Sequence, residues 1–166
     1  MNYELKLTQP KKLIEDIDNL KKSIKNISED IFFKLEIILD ELGSNSIKYA
    51  DNSVLHIKDF EDHLKIEVYS QGGEIPPFYI DIEDTKKLVE KCIEEGHGLG
   101  LHLVKNLADH FEYEYYDGKN KIIVKLKKDG WNFNHLFIYL VLILLYSSMP
   151  FLNIWHAFFN DSGSRT

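Results

Sequence analysis

The chain has 166 residues, a net charge of −7, and 44% apolar and 28% charged residues. This composition excludes an intrinsically disordered chain, and the length suits one domain of ordinary size plus an appendage. The acidity, all of it within residues 1–130, argues against a surface that binds nucleic acid by displacing counterions, and the single cysteine, Cys92, excludes an intrachain disulfide.

Tyr3 to Leu7 alternates in character and predicts a short edge strand. Pro10 then opens a helix over Lys11 to about Ile27, with apolar residues at Leu13, Ile14, Ile17, Leu20, Ile24 and Ile27. Ser28, followed by Glu29 and Asp30, predicts the N-cap and acidic first turn of a second helix. That helix extends to about Ala50, with Ile31, Leu35, Ile38 and Leu42 as its buried seam.

From Val54 the period changes. Val54–Lys58 and Leu64–Val68 read as a hairpin joined across Asp59 to His63, and Gln71-Gly-Gly-Glu-Ile-Pro-Pro77 as a loop. Asp84–Glu94 reads as a helix, followed by a glycine turn, Gly96-His-Gly98-Leu-Gly100, and a helix from about Leu99 to His110. Phe111–Tyr116 and Lys121–Leu126 close the series as two strands around Asp117-Gly118. The order predicts an α+β, two-layer α/β sandwich: a mixed, mostly antiparallel sheet with helices on one face.

Residues 129–166 differ in kind. Between Gly130 and Asn160 there is no Asp, Glu, Lys or Arg, and Leu136–Leu145 is continuously apolar. Trp131 and Trp155 would stand about 36 Å apart in a helix, a span suited to a bilayer with its interfaces. Lys125, Lys127 and Lys128 precede the run, on the side of the folded domain. The readings are a C-terminal membrane anchor, or one or two helices, divided at Pro150, that cover an apolar patch. The N-terminus lacks the apolar core of a signal peptide, so residues 1–130 are expected in the cytoplasm.

The chemistry concentrates in two stretches. Glu41, Asn45 and Lys48 stand at i, i+4 and i+7 of the second helix, beside its buried seam. The glycine turn leads directly into a helix, whose free N–H groups suit phosphate oxygens. An amide for a metal and a glycine cradle for phosphates together suggest a site for Mg²⁺ and a nucleotide. There is no Gly-Lys-Ser/Thr, His-Arg-Asp or Asp-Phe-Gly sequence, which excludes a P-loop and a eukaryotic-type protein kinase. A solvated helix end and a merely structural turn are the plain alternatives. The histidines have no metal-site spacing, and Cys92 reads as a small buried side chain.

In these motifs the chain resembles the GHKL superfamily of ATP-binding domains, which includes gyrase, heat-shock chaperones and histidine kinases. Within it, it looks closest to the small anti-sigma-factor serine kinases. Glu41-x-x-x-Asn45 is similar to the N box, Gly96-x-Gly98-Leu-Gly100-Leu101 to the glycine box that ends the ATP lid, and Ile66 to Gly72 to the adenine-binding box. The likeness covers residues 1–128. It implies a Bergerat-type fold with ATP and Mg²⁺ as cofactors. Asn45 would hold Mg²⁺, Glu41 would act as general base, Lys48 would contact a phosphate and Tyr49 would pack on adenine. Backbone amides at Gly98, Leu99 and Gly100, within the Gly96–Leu101 box, would clasp phosphates.

Ser70 stands where the family has an aspartate that accepts a bond from the adenine amino group; Gly72 follows as in the family. The neutral hydroxyl implies a loss on the order of 1–3 kcal/mol, ten- to hundredfold in affinity. The implied function is a serine/threonine protein kinase in bacterial signalling, acting on a partner of anti-anti-sigma type. The alternatives are a non-catalytic interaction module with a decayed nucleotide site, and the ATP-binding part of a split histidine kinase. A complete sensor kinase is not expected, since thirty residues before the domain are too few for a histidine-bearing hairpin. Assembly as a homodimer stays open.

Overall fold

A computed structural model of the chain describes residues 2–25, 27–80 and 99–129. Strand β1 (Asn2–Lys6) leads through helices α1 (Pro10–Ser23) and α2 (Glu29–Tyr49) into β2 (Ser53–Asp59) and β3 (His63–Gln71). A 3₁₀ turn at Pro77–Tyr79 precedes α3 (Leu99–Leu107), β4 (His110–Tyr116) and β5 (Lys119–Lys127).

The helices form for local reasons. Pro10 occupies the first turn of α1, and Leu13, Ile17 and Leu20 mark its buried stripe. Ile14, one position off that stripe, is 48% exposed. The helix stops at Ser23 rather than near Ile27, because Ile24 turns extended while its N–H still donates to Leu20 O at 3.0 Å. Helix α2 starts as the sequence predicts: Ser28 Oγ accepts from Ile31 N at 3.3 Å, with Glu29 and Asp30 on the positive end of the dipole. Its seam of Ile31, Leu35, Ile38 and Leu42 is buried. Gly43 lets α1 approach closely, since a methyl group there would stand 2.5 Å from Leu13 Cδ2.

The sheet order is β1-β2-β3-β5-β4, and all four pairings are antiparallel. The expected sheet was mixed; among the described residues no parallel pair occurs. Two helices separate β1 from β2, so the chain returns in the opposite direction. Strands β3 and β4 do run the same way, but the β4–β5 hairpin inserts β5 between them. That hairpin turns on Asp117 (φ 52°) and Gly118 (φ 70°), the paired positive values of a two-residue turn matched to strand twist.

Register sorts the side chains. Leu55, Val68 and Ile122 form one cross-strand row, and Ile57, Ile66 and Val124 the next, all buried toward the helices. Helix α2 packs on β2 and β5 and lies between α1 and α3. The result is the α+β sandwich that the sequence predicts, with its core between α2 and the central strands.

The opposite face carries Lys6, Glu4, His56, Lys58, Lys65, Glu67 and Tyr69 on β1 to β3, and Lys119, Lys121, Lys125, Lys127, Glu112 and Glu114 on β4 and β5. Glu67, only 5% exposed, sits between Lys58 Nζ at 2.7 Å and Lys65 Nζ at 2.9 Å. Burial raises its pKa, but the two lysine hydrogen bonds and charges outweigh that and bring it down to about 2. The expected helix at Asp84–Glu94, the glycines Gly96 and Gly98, and the apolar tail fall outside the described residues. Among the described residues no helix is long and apolar enough to cross a membrane.

Candidate functional site

Helix α2 and the first turn of α3 meet at Gly100. A methyl group built there would collide with the Glu41 carboxylate, lying 2.9 Å from its Cδ, and would stand 3.5 Å from Asn45 Nδ2. Residues nearly sixty positions apart thus share one place, and Gly100 is the residue that lets them approach so closely. Glu41 and Asn45 are one helical turn apart, both half-buried. The described part of α3 begins at Leu99, directly after the first glycines of the glycine box in sequence. The side chain of Leu101 is buried in the core, so only its backbone is free to bind.

The electrostatics at Glu41 are unusual. Burial, reinforced by the neighbouring Asp40 carboxylate, raises its pKa from 4.5 to about 7. A carboxylate poised there changes protonation near neutrality and has the basicity suited to accept a proton from a hydroxyl.

At the C-terminal end of α2, Lys48 and Tyr49 are exposed. Tyr49 is 59% exposed, with Lys48 Nζ 4.8 Å above its ring centre. Gly72 backs onto this end: a methyl group there would meet Tyr49 O at 3.4 Å. Asp51 N donates to Gln71 O at 3.0 Å, which ties the helix end to the last residue of β3. Ser70, on the helix-facing side of β3, is half-buried and stands directly opposite Asn120 of β5.

Asn120 is a residue whose role the sequence reading missed. It is 5% exposed, and its Oδ1 accepts from Tyr113 Oη at 2.7 Å while its Nδ2 donates to Gly73 O at 3.0 Å. Tyr113 Oη in turn accepts from Ile75 N at 2.9 Å. Strands β4 and β5 therefore hold the loop that follows Ser70. The available signal was an amide in a strand of otherwise apolar inward-facing residues, Ile122, Val124 and Leu126.

Among the described residues no cluster of His, Cys, Asp or Glu is arranged to hold a metal ion. Mg²⁺ fits a different donor set, in which one amide oxygen from Asn45 joins phosphate oxygens and water. Asn45, half-buried and close to the backbone of Gly100, would supply that amide oxygen. A separate cavity of about 330 Å³, walled by Ile75, Pro77, Lys105, Phe111 and Tyr113, shares no residue with the Glu41–Asn45–Gly100 cluster.

Residues 33–130, more than half of the chain, match the family model of histidine kinase-, DNA gyrase B- and HSP90-like ATPases. The chain belongs to this family. Among solved structures, the catalytic domain of histidine kinase ThkA is similar at 19% identity and a TM-score of 0.43, covering 77% of this chain and 97% of that one. The Acinetobacter baumannii histidine kinase AdeS is similar at 14% identity and a TM-score of 0.44, covering 77% of this chain and 68% of that one. Among curated proteins there is no match. Family membership rests on the first of these findings and assigns the chain an ATP-binding domain of the histidine-kinase-like ATPase type.

Proposed function

We propose that this domain binds ATP with Mg²⁺ and transfers the terminal phosphoryl group to a serine or threonine hydroxyl of a partner protein, in the manner of an anti-sigma-factor kinase. The observation that carries the reading is the contact of Gly100 with both Glu41 and Asn45. It supports the reading because Glu41, Asn45 and the glycine-box residue Gly100 come together at one point of the fold.

Each residue has a physical task. The Leu99 and Gly100 amides, at the positive end of α3, bind phosphate oxygens. Asn45 offers the amide oxygen for Mg²⁺, which when bound neutralises phosphate charge. Glu41 accepts the proton of the attacking hydroxyl. A hydroxyl needs such a base and an imidazole nucleophile does not, so a serine or threonine acceptor gives the Glu41 carboxylate a task in the transfer. Lys48 is long and exposed enough to swing from the Tyr49 ring to a phosphate, freeing that ring for a base.

Ser70 supports the second reading, a module that keeps its partner surface and has lost catalysis. It supplies a neutral hydroxyl where a carboxylate would hold adenine more firmly. Transfer of labelled γ-phosphate in the wild type and in Glu41→Gln separates the two. Turnover that falls at least about a hundredfold in the variant, with nucleotide affinity within about twofold, supports the kinase. No transfer by the wild type to any co-purifying protein, and no hydrolysis, favours the module.

A further inference from the structure

The sheet face turned away from the helices is electropositive in an acidic protein. By register it carries seven lysines against four glutamates, a net of three positive charges, while the chain as a whole has a net of −7. Lys58, Lys65 and Lys125 are direct cross-strand neighbours, an arrangement in which like charges repel. Lys58 and Lys65 share one buried partner, Glu67, whereas Lys125 and Lys127 make no ion pair among the described residues. Exposure varies over the face: the Lys58 side chain is 42% exposed and that of Glu114 62%, whereas Glu67 and its neighbour Ile123 are buried.

Cross-strand register lays these ammonium groups out as an extended array along four strands of one sheet face. That shape suits an extended anionic surface better than a single phosphate. Between Gly130 and Asn160, directly after Lys125, Lys127 and Lys128, the sequence has no Asp, Glu, Lys or Arg, and Leu136–Leu145 is continuously apolar. Lysines beside an apolar run mark a membrane-proximal position.

We propose that this face rests on a bilayer surface rich in anionic lipid. Each exposed lysine strengthens the attraction about fivefold, and salt screens it. The Glu41–Asn45–Gly100 cluster lies in the helical layer on the other side of the sheet, so the bound orientation turns it toward solvent and an incoming protein. The inference does not depend on the nucleotide reading.

Flotation of the full chain with vesicles tests it, comparing phosphatidylcholine alone with a phosphatidylglycerol–phosphatidylcholine mixture. The wild type should prefer the mixture at least about tenfold at low salt, and the preference should vanish at high salt. Lys125→Gln/Lys127→Gln, which leaves Glu67 both of its partners, should lose most of that preference with its melting temperature and ATP affinity unchanged. Lys11→Gln/Lys12→Gln on α1 should keep the preference. Insertion of the tail contributes to both vesicles alike and cancels in the ratio. Equal binding to the two vesicles, or an equal loss in the α1 variant, overturns the proposal. So does lysine-dependent binding that appears only with DNA or with an acidic protein.

Discussion

Glu41 combines two properties that are separable by experiment. Its folded-state pKa of about 7 lies above the ordinary 4.5, so the native state holds a proton that the unfolded chain releases. This contribution to stability is complete below about pH 4.5 and is lost as the pH rises through about 7. Wild type and Glu41→Gln should therefore unfold alike in acid and diverge with rising pH, the variant becoming the more stable; a constant difference across the range contradicts this. Catalysis should run the other way, with kcat/KM rising through about pH 7 as the base ionises. Gly100 is a matching case. Gly100→Ala drives a methyl group into the Glu41 carboxylate, so it should cost about 1–3 kcal/mol in urea unfolding and remove nucleotide binding.

Among the elements, the loop after β3 depends on strands that follow it in sequence. Asn120→Ala removes the acceptor of Tyr113 Oη and the donor to Gly73 O, and should cost about 1–3 kcal/mol with weakened nucleotide affinity. Asn120→Ala retaining wild-type stability and affinity would show that the loop holds itself. On the outer face, Glu67 gives stability that is present above about pH 4.5 and lost as the pH falls toward about 2, where its carboxylate gains a proton and releases Lys58 and Lys65. Acid titration of Glu67→Gln should lack that component. These dependences explain what was legible beforehand. Ser28 with its acids, the seam from Ile31 to Leu42 and the Asp117-Gly118 turn are local signals, and each element appeared where they pointed. Strand order is non-local, so the insertion of β5 between β3 and β4 left no mark in the sequence. Nor did the α1 terminus, since Ile24 continues the apolar pattern while leaving the helix.

For the molecule as a whole, sheet and helices divide the labour. The helical layer carries the residues that meet at Gly100, and the sheet supplies Ser70 and, through Asn120 and Tyr113, the support of the neighbouring loop. Glu41, Asn45 and the glycines stand out in the sequence as two motifs, but the approach of Gly100 to Glu41 and Asn45 does not, because it depends on the crossing of α2 and α3. Net charge was an incomplete guide for the same reason: pairing register gathers lysines from four strands onto one face of an acidic chain. Ser70 predicts modest affinity for ATP, and Ser70→Asp should tighten it ten- to hundredfold by equilibrium titration. Unchanged affinity would remove that position from the base-binding site.

The central claim is that Asn45 and the start of α3 hold a magnesium-bound triphosphate. Titrating the full chain and Asn45→Ala with a fluorescent ATP analogue, with and without Mg²⁺, tests it most directly. Saturable binding that Mg²⁺ strengthens in the wild type but not in the variant is the predicted result. Binding that ignores Mg²⁺ in both proteins, or a variant indistinguishable from the wild type, would contradict it.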